Sequence, residues 1–150
     1  MDYYMGRMWV ANGTEYLAGD IVGGPSGTGI YNFRDSILSI TENDYLSGGG
    51  TFAIPTNAGN ITALEHNANL DTALGQGLLF PFTRKSVYSV NVPADRTAWG
   101  ALEEPWQRVA QINFGTTSDR SVAAVNGDLF YRSPDGLRSL IMAIRYFGQW

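Results

Sequence analysis

The chain contains no cysteine. That removes disulfide scaffolds, thiolate metal sites and cysteine nucleophiles together. Lysine is nearly absent as well: Lys85 stands alone beside nine arginines among 150 residues. Charged residues make up only 16% of the chain, and the net charge is −4. A protein that grips nucleic acid on its outside carries a basic face, and none is visible in this sequence. The single histidine, His66, lacks the G-x-S-x-G elbow that a nucleophilic triad of the hydrolase type would bring. It also has only carboxylates with which to share a zinc ion, so it reads as a polar residue on a strand face. Apolar runs are a few residues long, too short to cross a bilayer as a helix. The opening residues show no basic stretch leading into an apolar one, so no secretory signal is read there.

Glycine is abundant, at 18 residues, and aromatics reach 13%. With 44% hydrophobic residues the chain can bury a core, and its length is that of about one domain. Turn dipeptides recur throughout, which predicts an all-β protein. Three hairpin-like units stand out, starting at Gly6, Gly77 and Gly127. The second and third align without gaps at an offset of 50, from 77 to 127. Leu79 then matches Leu129, Phe80 matches Phe130, Val87 matches Leu137 and Val90 matches Leu140. The first unit aligns with the second at an offset of 71, from 6 to 77, which puts Met8-Trp9 in the Leu-Phe place.

Each unit reads as strand, tight turn, strand. Asn12-Gly13 is a type I′ signal. Pro134 presets φ, and Gly136 supplies the positive φ that a turn needs. Thr83-Arg84-Lys85 is a less specific polar turn. Further strands fit over 60–70, 107–114 and 121–127. The rhythm is that of four-stranded β-propeller blades of roughly 40–50 residues; two related hairpins in a sandwich are the alternative. Blade-like units are expected at about 1–22, 59–114 and 119–150, with an insertion at about 23–58. Closed propellers have about four to eight blades, so the ring is incomplete within this segment. The aromatic-rich end at Trp150 is expected either to continue into more chain or to be covered by a neighbour. A short helix is expected over 31–43, with a strand at 36–41 as the alternative, and a short helix or 3-10 turn over 94–106, from a capping Asp95 to a stop at Pro105; glycine-rich loops are expected over 23–29 and 48–50. The loop at 23–29 lacks the Lys-Ser/Thr pair of a phosphate-binding loop.

Paired carboxylates could serve a glycosidase. The candidates are Asp20, Asp71, Asp95, Asp119, Asp128, Asp135, Glu103 and Glu104; Asp128 and Asp135 sit in turns and Asp95 at a cap, where each already has a structural role. Arg132 and Arg138 bracket the Ser-Pro-Asp-Gly turn and, with Asp128 and Asp135, could form a cross-hairpin ion network. Together with Asp119 and Arg120 these are the candidate subunit-contact residues. No catalytic, cofactor-binding or metal-binding residue is assigned, and no cofactor is expected.

Several stretches resemble virion structural proteins of tailed bacteriophages: "AGDI" at 18–21, "GNITAL" at 59–64, "LGQG" at 74–77, "NVPADRTAW" at 91–99 and "NGDLFYRSPDGLRS" at 126–139. The hairpin-rich part is similar to the propeller domain of the tail nozzle, or tail tubular, proteins of short-tailed phages. The resemblance implies a non-enzymatic building block of the virion tail, assembled in the bacterial cytoplasm. Its expected partners are identical subunits in a ring and neighbouring tail, adaptor or portal proteins. DNA would pass nearby without specific binding, and an acidic chain suits a wall along which DNA slides. A receptor- or glycan-binding propeller of a tail tip or fibre is the alternative.

Overall fold

The computed structural model describes residues 1–19, 51–69, 75–92 and 115–142 in full, and the backbone of 106–110. The protein is all-β, as its turn chemistry predicts. Eleven strands among the described residues form three antiparallel sheets, and each sheet is a meander in chain order. The first contains β1 (Asp2–Tyr4), β2 (Arg7–Asn12), β3 (Glu15–Ala18) and β4 (Thr51–Ala53). The second contains β5 (Ile61–Ala68), β6 (Gln76–Thr83), β7 (Val87–Val90) and β8 (Trp106–Ala110). The third contains β9 (Val122–Val125), β10 (Asp128–Ser133) and β11 (Gly136–Ser139).

Side-chain alternation decides how the sheets stack. In the middle sheet Leu64, Leu79, Tyr88 and Val90 point one way and join the core of the first sheet, with Tyr4, Trp9, Tyr16 and Phe52. Ala63, Phe80, Phe82 and Val87 point the other way and pack on Leu129, Tyr131 and Leu140 of the third. The middle sheet is therefore buried on both faces, which is why β7 reads "VYSV" with every residue buried. Strands β1 and β2 on one side and β9 and β10 on the other all lie against β5, so the sheets meet along their first strands.

The turns are set by local chemistry. Met5-Gly6 and Asn126-Gly127 join β1 to β2 and β9 to β10, with positive φ at both central residues of each (52° and 76°, 51° and 81°). That is the type I′ pattern, matched to the twist of the strands it joins. The type I′ signal expected at Asn12-Gly13 is displaced. Asn12 pairs with Glu15 as the last residue of β2, and the loop is Gly13-Thr14, with positive φ at Gly13 alone. One central residue needs the left-handed region here, and glycine takes it. Thr83 and Ser133, related by the offset of 50, perform the same task in their hairpins. The Thr83 hydroxyl accepts from the Lys85 N–H and donates to the Ser86 carbonyl; the Ser133 hydroxyl accepts from the Asp135 N–H and donates to the Gly136 carbonyl. The repeat read in the sequence thus extends to the hydrogen bonds that close the turns.

Strand β4 pairs with β3, so the first sheet takes its last strand from the end of the stretch expected as an insertion. Trp106, which directly follows the stop expected at Pro105, begins β8. The helix expected at 31–43, the rest of the one at 94–106, and the loops at 23–29 and 48–50 lie outside the described residues. No helix among the described residues is long and apolar enough to cross a membrane.

Two core tyrosines carry a testable cost. Tyr16 and Tyr131 are fully buried, and their hydroxyls have no hydrogen-bond partner. A buried hydroxyl without a partner forfeits its hydration, at about 1–3 kcal/mol. Burial pushes the Tyr16 phenol up. Burial, opposed by Arg138 and assisted by Asp128, pushes the Tyr131 phenol up to about 12 from 10.0. A raised folded-state pKa means that the unfolded chain ionises first. The associated stability is complete below pH 10 and is lost as pH rises through about 12. Tyr131→Phe should therefore leave stability at pH 7 unchanged or higher by up to about 1 kcal/mol. It should also reduce the fall in stability above pH 10, as read by urea denaturation across that range. A loss at pH 7 with an unaltered alkaline slope would show that the hydroxyl has a partner.

Candidate functional site

Two kinds of feature stand out once the sheets are in place: polar stitches between sheets, and two exposed apolar faces at the ends of the stack. The stitch between the first and second sheets centres on His66 of β5. Gln76 Oε1 accepts from the Met5 N–H at 2.9 Å, which fixes the orientation of its amide. Gln76 Nε2 then donates to the Tyr3 carbonyl and to His66 Nε2, each at 3.2 Å. With Nε2 accepting, the proton of a neutral His66 sits on Nδ1 and is donated to Asp2 Oδ2 at 2.7 Å. The Tyr4 hydroxyl donates to the Gly77 carbonyl at 2.8 Å, and its ring lies 5.9 Å from that of His66.

Asp2, Glu65 and His66 bring three potential metal-ligand atoms within 4.8 Å of one another. Burial, and after it the charge of Asp2, push the Glu65 carboxyl up, opposed by His66 and the N-terminal ammonium. The geometry favours a seam over a metal centre. A divalent cation needs a ring nitrogen with a free lone pair, and His66 commits Nδ1–H to Asp2 and the Nε2 lone pair to Gln76. Sequence reasoning missed this cluster because Asp2 and His66 lie 64 residues apart and neither sits in a motif.

The stitch between the second and third sheets centres on Thr116, which is fully buried. Its N–H donates to the Thr83 carbonyl at 2.8 Å. Its carbonyl accepts from the Thr62 hydroxyl at 2.7 Å, and its own hydroxyl donates to the Arg132 carbonyl at 2.9 Å. One threonine thus holds β5, the β6–β7 hairpin and β10 together. Asn67 adds a bond to the Gly127 carbonyl at 3.3 Å.

The candidate contact residues do not form one network. Arg138 faces Asp135 at 3.6 Å within the hairpin turn, and its Nε donates to Ser133 Oγ at 2.9 Å. Asp128 works elsewhere: Oδ1 accepts from the N–H groups of Leu129 and Ile141, and Oδ2 from the Ser139 hydroxyl. Ser139 Oγ in turn accepts from the Met142 N–H. Asp128 and Ser139 therefore anchor the helical turn that begins at Leu140 in the manner of an N-cap. Asp119 and Arg120 lie exposed in a 3-10 turn capped by Ser118. Arg132 is exposed on the outer face of the third sheet. Among the carboxylates weighed for glycosidase chemistry, Asp119, Asp128 and Asp135 are engaged in these local turns. Asp20, Asp71, Asp95, Glu103 and Glu104 lie outside the described residues.

The exposed apolar faces lie at opposite ends of the stack. On the outer side of the first sheet, Tyr3 pairs with Met8 and Val10 with Leu17; Tyr3 and Val10 are exposed. On the outer side of the third sheet lie Ala123, Val125, Phe130 and Leu137, all exposed. Among the described residues the exposed aromatics, Tyr3 and Phe130, thus sit on opposite faces and do not share one cleft.

No protein-family model, no curated protein and no solved structure matches the chain.

Proposed function

We propose that the chain is a structural component of a phage particle, a propeller-type subunit of a tail nozzle or adaptor that acts through assembly around the DNA exit channel. One observation carries this reading: successive antiparallel meanders, two of four strands and one of three among the described residues, stack face to face, with their first strands gathered at β5 and a middle sheet buried on both sides. That is how consecutive propeller blades pack. A receptor- or glycan-binding module would use exposed aromatics converging on one cleft, and among the described residues the exposed Tyr3 and Phe130 do not converge. The buried polar groups of the two stitches close on other parts of the chain, as expected of a protein whose work is to hold a shape.

The test is composition of the particle. Mass spectrometry of virions purified from cells that express the phage carrying this gene should detect the chain in the tail fraction, at several copies per particle. Virions that lack the chain would overturn the proposal.

A further inference from the structure

The internal repeat gives each sheet a direction. Trp9, Phe80 and Phe130 occupy one position of the repeat, and Tyr16, Val87 and Leu137 another. Trp9 and Tyr16 of the first sheet lie in the core shared with the second sheet. Phe80 and Val87 of the second lie in the core shared with the third. Phe130 and Leu137 point the same way and meet solvent. Exposure is 1%, 4% and 37% at the first position and 0%, 0% and 78% at the second. The opposite side obeys the same rule. Leu79 and Leu129 both face the preceding sheet, and Met8, their counterpart, lies on the outer side of the first sheet beside Tyr3. Among the described residues, nothing covers the forward face of the third sheet or the backward face of the first.

We propose that these two faces cover each other between two copies of the chain, the forward face of the third sheet in one copy seating on the backward face of the first sheet in the other. Phe130, Leu137 and Val125 meet Tyr3, Val10 and Leu17. Charge agrees with this choice of occupant. Arg132 is exposed on the forward face, beside Leu137 and next to the β10–β11 turn. Glu15 is exposed next to the β2–β3 turn, on the side that carries Val10 and Leu17. Stacking that keeps the hairpin turns at one end, as the Thr116 bond to Thr83 and Arg132 keeps them between the second and third sheets, brings this arginine to this glutamate. The contact is head to tail, so it repeats until it closes. The three sheets of the described residues bring two copies to six, within the roughly four to eight blades at which propellers close. The inference rests on reading the sheets as equivalent blades.

A charge placed in either face should break the seam without touching the core. Phe130→Asp and Val10→Asp are made in the 150-residue chain, with Leu137→Asp as a second forward-face variant in case Phe130→Asp misfolds. Light scattering after size exclusion reads mass, and circular dichroism reads fold. The wild-type chain is expected to run as a dimer, and each variant as a folded monomer. Mixing Phe130→Asp with Val10→Asp should restore a 1:1 dimer, because one seam then joins two intact faces. A wild-type chain that stays monomeric at hundreds of micromolar would overturn the inference and indicate that other sheets cover the faces. Val10→Asp dimerising alone while Phe130→Asp does not would also overturn it, in favour of a like-on-like contact. These results are separable from the particle test: virions containing a chain that is monomeric when pure would sink the seam and leave the virion role standing, whereas dimers of a chain absent from virions would do the reverse.

Discussion

Gly115→Ala is expected to cost about 3 kcal/mol or more, the largest loss of any single-methyl addition in the described residues. A Cβ built on Gly115 would lie 1.8 Å from the Thr83 carbonyl oxygen, with the carbonyl carbons of Thr83 and Arg84 at 2.8 Å. All three are backbone atoms, so no side chain can swing aside. Relief requires the 115–116 segment to withdraw from the β6–β7 hairpin by more than an ångström. That withdrawal breaks the Thr116 N–H bond to the same Thr83 carbonyl and disturbs the bonds from Thr62 and to Arg132. Each buried group left without a partner costs about 1–3 kcal/mol, so two such losses suffice for the expected effect. Gly13→Ala is the control. Gly13 has a φ of 65° and open space around its would-be Cβ, so alanine there meets only the left-handed penalty of about 1–2 kcal/mol. Urea midpoints with unchanged slopes would measure both. A Gly115→Ala midpoint no lower than that of Gly13→Ala would refute the close approach.

The contrast between those glycines illustrates what the sequence could reveal. Turn glycines announce themselves by their neighbours: Asn-Gly, Pro-Asp-Gly and the alternating strands around them. The strands at 60–70 and 121–127 and the three hairpins were legible because alternation and turn chemistry are local. Gly115 was not legible, because its demand comes from a carbonyl more than thirty residues away in sequence. Likewise β1 and its Met5-Gly6 turn carried no signal, since methionine is not a turn former and three residues are too few for a period. The Asp2–His66–Gln76 stitch and the Thr116 hub join segments from different sheets, and no spacing rule connects such residues. Arg138 and Asp135 are expected from the sequence in a cross-hairpin ion network as well as among the candidate subunit contacts. The structure puts them in a local pair across one turn, the arrangement that neighbouring opposite charges reach at least cost. Arg132 is exposed on the open face of the third sheet, which it shares with the half-buried Asp128.

The same alanine substitution at one position of the repeat should have three different effects, and the pattern tests the direction of the stack. Trp9→Ala removes a side chain that is 1% exposed, whose indole N–H donates to the Tyr4 carbonyl at 3.0 Å. Its ring packs 6.0 Å from Tyr16 and 6.4 Å from Phe52. Losing that volume and leaving a carbonyl without its donor should cost about 3–5 kcal/mol. Phe80→Ala opens the core between the second and third sheets, where Phe80 is 4% exposed, and should cost about 3–4 kcal/mol. Phe130→Ala removes a ring already 37% exposed on the uncovered face, and in a monomeric background carrying Val10→Asp it should cost under about 1.5 kcal/mol. In the associated wild type the Phe130 change should instead appear as weaker association, because the ring is then covered as Trp9 and Phe80 are. Thermal and urea unfolding of the series, each in both backgrounds, separate the two contributions. If Phe130→Ala cost as much as Phe80→Ala in the monomer, its ring would belong to the core, and the forward face would not be open. If it had no effect in either background, the position would be exposed in the assembly too, and the equivalence of the three sheets would end at the second.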